Sequence, residues 1–341
     1  MEDQLKDRVT IYEVATAAGV SLATVSRVIN NHQNVTPKTR KKVEDAIERL
    51  NYRPSGLAQA LATSKTTNIG VVIPSADYVY IANMLNGITE TARENGYAIT
   101  LFVTSHDEEE ALQAIDKLIT SHVDGAIIFD DELEEEDVRK IVGYQVPVVV
   151  VNNRIENADN IGCITFGYEH TLREIIKKHA ESYDKKMYFV RTDDHPGRLL
   201  ERLQRSFVNT HKALNKEYEI IDSSDSYTET YNQFLEIFKT TKSGFFLCYR
   251  DSLAAAVMNA AKESDLRIPE DVEILSLIGT KYANIFRPKI SNMHLDMKKI
   301  GSDAMVMLKS MLNGEKNPKR TKEVTKLVQL GTTNKIDIIE N

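Results

Sequence analysis

A chain of 341 residues is too long for one compact core and suits a small domain joined to one or two larger ones. Its 42% hydrophobic and 27% charged residues are ordinary globular values, which excludes long disordered tracts. No apolar run approaches the roughly 18 residues that span a bilayer, and residues 1–8 lack the apolar core of a signal peptide, so a cytoplasmic protein without a membrane partner is expected.

The formal charge of −7 conceals an asymmetry. Between Ser21 and Lys65, eight basic residues (Arg27, Lys38, Arg40, Lys41, Lys42, Arg49, Arg53 and Lys65) face three acidic ones (Glu44, Asp45 and Glu48). That excess predicts a polyanionic partner for this end alone. Thr10-Ile-Tyr-Glu13 is a capping box that starts a first helix, with Val14, Ala15 and Ala18 on one face and Gly19 at the bend. Ser21 caps a second helix in which Val25, Val28 and Ile29 point inward, leaving Leu22, Ala23, Thr24, Ser26, Arg27 and Asn30 on other faces. A third helix begins at Thr36-Pro37 and runs to Leu50. Small Ala15 before the bend and Val25 after it suit two helices crossing steeply, the pattern of a helix-turn-helix. A helical hairpin with no role on DNA is the other reading of this pattern taken alone. After Pro54, the stretch from Ser55 to Thr63 reads as one short helix with Leu57 and Leu61 exposed on one side. Such a helix is marginal alone, but two from a dimer could pack through their alanines and push leucines between base pairs in the minor groove.

The residues from Thr10 through Asn30, then Thr36 to Arg40, Tyr52-Arg-Pro54 and Leu57 to Ala62 resemble the lac repressor/galactose repressor family of bacterial regulators. The resemblance implies that Leu22 and Ala23 face major-groove base edges, with Thr24, Ser26, Arg27 and Asn30 adding base and phosphate contacts. Arg27 is the candidate for a bidentate guanine contact. Thr10, Tyr12, Ser21, Asn34 and Thr36 are assigned to backbone positioning, and Tyr52 and Ser55 join the DNA-binding set. Leu61 matches the family's intercalating hinge leucine, and Ala58 the small residue where paired hinge helices meet. Leu22-Ala23 is similar to the pair in the catabolite-control and galactose branches, which implies a pseudo-palindromic operator with a central CG step.

From Thr66 onward strands alternate with amphipathic helices. The runs Asn68 to Pro74, Ala98 to Thr104, Gly125 to Asp130, Val146 to Asn152, Met187 to Arg191, Tyr218 to Asp222, Gly244 to Tyr249 and Glu273 to Ile278 predict two parallel-sheet halves, with a ligand cleft at the strand carboxyl ends. Val123 to Ile128, Arg267 to Ile274, Arg287-Pro288 and Ile300-Gly301 read like the same family's landmarks. The expected architecture is therefore an all-α helix-turn-helix headpiece with a hinge helix, followed by an α/β body similar to periplasmic sugar-binding proteins. The headpiece covers residues 1–54, the hinge and linker 55–65, and the effector and dimerisation body 66–341. Within the body, a first subdomain of about 66–163 and 293–320 and a second of about 164–292 and 321–337 are expected. The resemblance implies a homodimer through the body, and the absence of a C-terminal leucine heptad excludes a tetramer-forming tail.

The effector region departs from the family. Arg250 stands where an asparagine precedes aspartate, Asp251 follows it, and a sugar-binding aspartate aligns with Ile278 and another with Gly167. Asp77, Arg198, Arg202, Arg250 and Asp251 are the candidate effector residues. Replacing carboxylate by isoleucine removes the paired acceptors that sugar hydroxyls need. Three readings stay open: an anionic small molecule held by Arg250 and a neighbouring arginine, lost sensing, and, behind both, an ordinary neutral sugar. A protein corepressor is the other precedent, since a phosphorylated phosphocarrier protein serves the catabolite-control branch. The matching segment, Met297 to Leu308, retains Ala304 and Met305, but Lys298 and Val306 replace the branch's tyrosine and arginine, which argues against phosphoserine capture.

Cys163 and Cys248 sit in apolar stretches and read as buried hydrophobes. Seven of the eight residues from Asp130 to Asp137 are acidic, which reads as a solvated helix start complementing its dipole. The eight histidines show no metal-ligand spacing, and no glycine-rich phosphate loop, G-x-S-x-G elbow or CxxC pair is present, so neither an enzyme nor a cofactor is expected. The sequence points to a DNA-binding regulator, a repressor of carbohydrate or related metabolic genes. Its rivals are a cytosolic ligand sensor with a vestigial headpiece and an effector-independent DNA-binding regulator.

Overall fold

A computed structural model describes residues 9–30, 32–53, 65–105, 107–130, 133–152, 159–192, 197–315, 321–323 and 325–337. The chain divides between Thr67 and Asn68 into two compact units.

The first unit holds α1 (Ile11–Ala18), α2 (Leu22–Ile29) and α3 (Pro37–Leu50). Each starts on a side-chain cap: Thr10 with Glu13 in a reciprocal box, Ser21 accepting from the Thr24 amide, and Thr36 accepting from the Thr39 amide. Gly19, at φ 64°, ends α1 in the left-handed region and returns its N–H to the Ala15 and Thr16 carbonyls. Val14, Ala15, Ala18, Val25, Val28, Val43, Ala46 and Tyr52 form the core. Ile29 packs against it only partly buried. Two of the basic residues serve this fold. Arg40 donates to the carbonyls of Val28 (3.4 Å) and His32 (2.7 Å), and Arg49 to that of Ala17 (3.3 Å), satisfying carbonyls at or just beyond helix ends.

The second unit has two sheets. The first sheet contains β1 (Asn68–Ile73), β2 (Ala98–Val103), β3 (Gly125–Ile128), β4 (Val148–Val151), β5 (Ile161–Phe166) and β11 (Thr321–Glu323), in the order β11-β5-β4-β3-β1-β2. The second contains β6 (Met187–Thr192), β7 (Tyr218–Ser223), β8 (Gly244–Cys248), β9 (Val272–Ser276), β10 (Ser291–His294) and β12 (Lys326–Val328), in the order β12-β10-β9-β8-β6-β7. All neighbours are parallel except β10 and β12. Strands β3, β4, β8 and β9 are buried along their whole length, as expected where helices cover both faces of a parallel sheet.

The connecting helices are α4 (Val79–Glu94), α5 (Glu108–Thr120), α6 (Glu135–Gly143), α7 (Tyr168–Ser182), α8 (Arg198–Leu214), α9 (Tyr227–Thr240), α10 (Asp251–Glu263), the single turn α11 (Tyr282–Ile285) and α12 (Met297–Leu312). The pairing shifts the crossovers from those expected. Strand β5 stays in the first sheet to Phe166 instead of leaving at 163, β10 lies wholly in the second, and residues 321–323 return to the first sheet beside β5. The acidic run also divides. Glu135, Glu136 and Asp137 sit in the first turn of α6, but Asp130 is buried and accepts a hydrogen bond from the Thr104 hydroxyl. Both cysteines are buried.

Candidate DNA-binding face and interlobe cleft

On α2, burial of Val25 and Val28 turns Leu22, Ala23, Arg27 and Asn30 to solvent, with Thr24 and Ser26 half-buried between them. Leu22 is 38% exposed, a costly position for a leucine unless something covers it. The polar members are partly preset. Ser21 and Thr24 hydroxyls lie 2.9 Å apart, and the Asn30 amide donates to Ser26 Oγ at 3.4 Å. Arg27, Lys38, Lys41, Lys42 and Arg53 are exposed, so the positive face survives the use of Arg40 and Arg49 inside the unit. Thr10, Tyr12, Asn34 and Thr36 are exposed, Tyr12 at 68%. The backbone and hydroxyl hydrogen bonds from Thr10 hold the Glu13 carboxyl below its usual range. Tyr52 differs from expectation: its ring is a core element at 8% exposure, and burial raises its phenol's pKa.

In the second unit the strand carboxyl ends of the two lobes converge. The first lobe contributes Asp77, Tyr78 and Tyr80 after β1, Phe129 after β3 and Asn152 after β4. The second contributes Arg198 and Arg202 on α8, Asp225 after β7, and Tyr249, Arg250 and Asp251 after β8. The Arg250 guanidinium lies 4.0 Å from the centre of the Tyr78 ring and 5.2 Å from that of Tyr249, and it pairs with Asp225. Tyr78 stacks on Tyr80 at 5.7 Å, and the aromatic contacts continue through Phe129 and Phe166 to Tyr168. Arg198 pairs with Glu134 across the lobes, which lowers the Glu134 carboxyl's pKa, while Arg202 sits 3.3 Å from Glu169 and donates to the Asn152 carbonyl at 3.3 Å. Asp251 is turned to its own lobe. One carboxylate oxygen accepts from both the amide and the hydroxyl of Thr280, and burial pushes its pKa up against those bonds. Asn152 Nδ2 and Arg250 Nε are buried without an acceptor among the described residues.

The model of the bacterial regulatory proteins of the lacI family matches residues 10–55, and that of the periplasmic binding protein-like domain matches residues 179–333. Catabolite control protein A of Priestia megaterium is 32% identical over 314 residues, covering 90% of this chain and 93% of that protein. The chain belongs to the lacI family. Catabolite control protein A of Staphylococcus epidermidis is 30% identical over 313 residues, with 90% and 93% covered. The fold is that of the lac repressor dimer bound to operator and the anti-inducer ONPF, at a TM-score of 0.82 and 23% identity, with 96% and 99% of the two chains covered.

Of the residues expected to meet DNA, Leu22, Ala23, Thr24, Ser26 and Arg27 come together on α2, and Asn30 caps its C-terminal end. Ser55, Ala58 and Leu61 lie outside the described residues. In the cleft, Ile278 is 3% exposed and joins the core. Asp77 is exposed, its amide donating to Ser75 Oγ at 3.1 Å. Arg198, Arg202 and Arg250 each meet a carboxylate that the sequence reading did not single out as a partner: Glu134, Glu169 and Asp225. Tyr78 and Tyr80, placed directly after β1, were the signal available for the aromatic wall. On α12, Ala304 and Met305 are fully buried, so their retention reflects packing, whereas Lys298 pairs with Glu90 and Val306 is 52% exposed.

Proposed function

We propose that the chain is a sequence-specific transcriptional repressor, acting in the cytoplasm as a homodimer on a pseudo-palindromic operator and controlling carbohydrate or related metabolic genes. The observation that carries this is the exposed face of α2, capped at Ser21 and held on a complete three-helix core. Such a face supplies small and apolar contacts at the helix start and one guanidinium farther along, the chemistry that reads a major groove. The intact capping and core of the headpiece weigh against a vestigial one. Dimerisation is supported by apolar surface on both lobes. Leu101 (42% exposed) and Val103 (46%) lie on the sheet-edge strand β2, and Tyr227 (42%), Tyr282 (40%) and Ile285 (62%) lie on the second lobe. The pairing of every candidate cleft arginine with a carboxylate favours a regulator that needs no anionic or sugar effector. The reading gives the protein no catalytic role, cofactor or phosphoserine-dependent corepressor.

Selection of random duplexes by the full chain tests the proposal. An enriched palindrome with a central CG step, bound with steep salt dependence, is expected; failure to enrich any motif overturns it. Arg27→Ala is expected to lose about 1–3 kcal/mol of discrimination at one base position of each half-site, read by competition between single-base operator variants. Leu61→Ala is expected to weaken operator binding far more than nonspecific binding, and equal losses on both would remove the hinge leucine from the mechanism.

A further inference from the structure

We infer that the interlobe cleft of this chain is held closed by its own arginine: Arg250 acts as a tethered cation seated on Tyr78 of the opposite lobe, so closure requires no bound molecule. Arg250 springs from the second lobe immediately after β8, while Tyr78 precedes α4 in the first. At 4.0 Å the guanidinium is in contact with the ring face, where the negative π cloud attracts it. Only 13% of its side chain is exposed, so the pair is shielded from water and from salt. Asp225, from the same lobe as Arg250, fixes the guanidinium plane through a charge-assisted hydrogen bond and offsets its charge.

Two further arginines of the second lobe reach the same way. Arg198 grips Glu134, and Arg202 donates to the carbonyl of Asn152 at 3.3 Å. All three bonds run from cations of one lobe to acceptors or a π face of the other, which makes closure a shared property of the three. Arg250 is the most shielded of the three, with 13% of its side chain exposed against 20% for Arg202 and 39% for Arg198, so it carries the most weight. Lysine would keep the charge but not the planar stacking on Tyr78 or the fixed geometry toward Asp225.

The test is made on free full-length protein, so its outcome is independent of operator binding. Nitroxide labels at Glu136→Cys on α6 and Glu201→Cys on α8, both exposed, report the distance between the lobes; the native cysteines are buried. With no small molecule added, one narrow distance distribution is expected. Arg250→Met shifts it to longer distances and broadens it. Tyr78→Leu, a half-buried site on the other lobe that serves should the arginine variant fail to fold, gives the same shift, and the double variant adds nothing further. A broad distribution in the unsubstituted labelled chain, or folded single variants whose distributions superimpose on it, would overturn the latch.

Discussion

Gly301→Ala is expected to destabilise the body by about 3 kcal/mol or more, although alanine is the better helix former by about 1 kcal/mol. Helices α4 and α12 cross with their backbones in contact through two glycines. A Cβ on Gly301 would lie 2.1 Å from the Met84 carbonyl oxygen, and one on Gly87 would lie 1.9 Å from that of Lys298. Neither obstacle is a flexible side chain that could swing aside, so the helices must separate. Separation opens the packing of Met84, Ile88, Ile300, Ala304, Met305 and Leu308, all at 0–1% exposure. Because one alanine already forces the gap, Gly87→Ala added to Gly301→Ala should cost much less than the sum of the two. Gly143, exposed at the end of α6 with nothing within 4 Å of its Cβ position, supplies the control. The same substitution there should be neutral or stabilise by up to about 1 kcal/mol. Urea unfolding of the four variants, the two single substitutions, their double and Gly143→Ala, checks the prediction through the midpoint shifts; a Gly301→Ala midpoint at or above that of the unsubstituted chain would refute it.

What could be read from the residues was what depends on near neighbours. Thr10 with Glu13, Ser21 with Thr24, and Thr36 with Pro37 act within one turn, and all three helix starts of the headpiece follow from them. The α2 face was legible for the same reason, since the 3.6-residue period separates Val25 and Val28 from Arg27 and Asn30. The eight apolar runs each became a strand. Strands β5, β10, β11 and β12 escaped, β10 because Ser291 and Asn292 look like loop residues. They are buried only because Ser291 Oγ meets Thr333 Oγ1 at 2.8 Å, its amide donates to Thr332 Oγ1 at 2.8 Å, and the Asn292 amide donates to the Ile290 carbonyl at 3.0 Å. The charge of the headpiece was countable, but which arginines serve the fold was not. Arg40 and Arg49 resemble Lys41 and Lys42 until the helix ends they cap are in place. The cleft was least legible of all. Arg250 as a sequence feature suggests an anion site, and only the folded arrangement of Tyr78 and Asp225 around it shows where its charge goes.

Glu273→Ala is expected to cost about 3–5 kcal/mol, because it strips the acceptor from a buried polar cluster at the start of β9. The Glu273 side chain is fully buried. Its Oε1 lies 3.1 Å from Nε2 of His179, also fully buried, and 3.2 Å from Nζ of Lys185, while Oε2 accepts the Asn334 amide at 2.8 Å. Alanine would leave the Asn334 N–H and the His179 ring without that acceptor and remove the neutralising charge beside Lys185. Glu273→Gln keeps the volume and one acceptor oxygen, so its loss should be smaller. Burial raises the Glu273 pKa, but the hydrogen bond and charge of His179, the Asn334 amide and Lys185 outweigh it, leaving the value below the ordinary 4.5. A carboxyl with a depressed folded-state pKa stabilises the fold fully above its unfolded value, and that contribution is lost as pH falls through the folded one. The unsubstituted chain should therefore lose stability below about pH 4.5 more steeply than Glu273→Gln, whose position 273 no longer titrates. Urea midpoints measured from pH 7 downward decide it: converging curves are expected, and curves that stay parallel into acid would mean that Glu273 contributes no proton-linked stability.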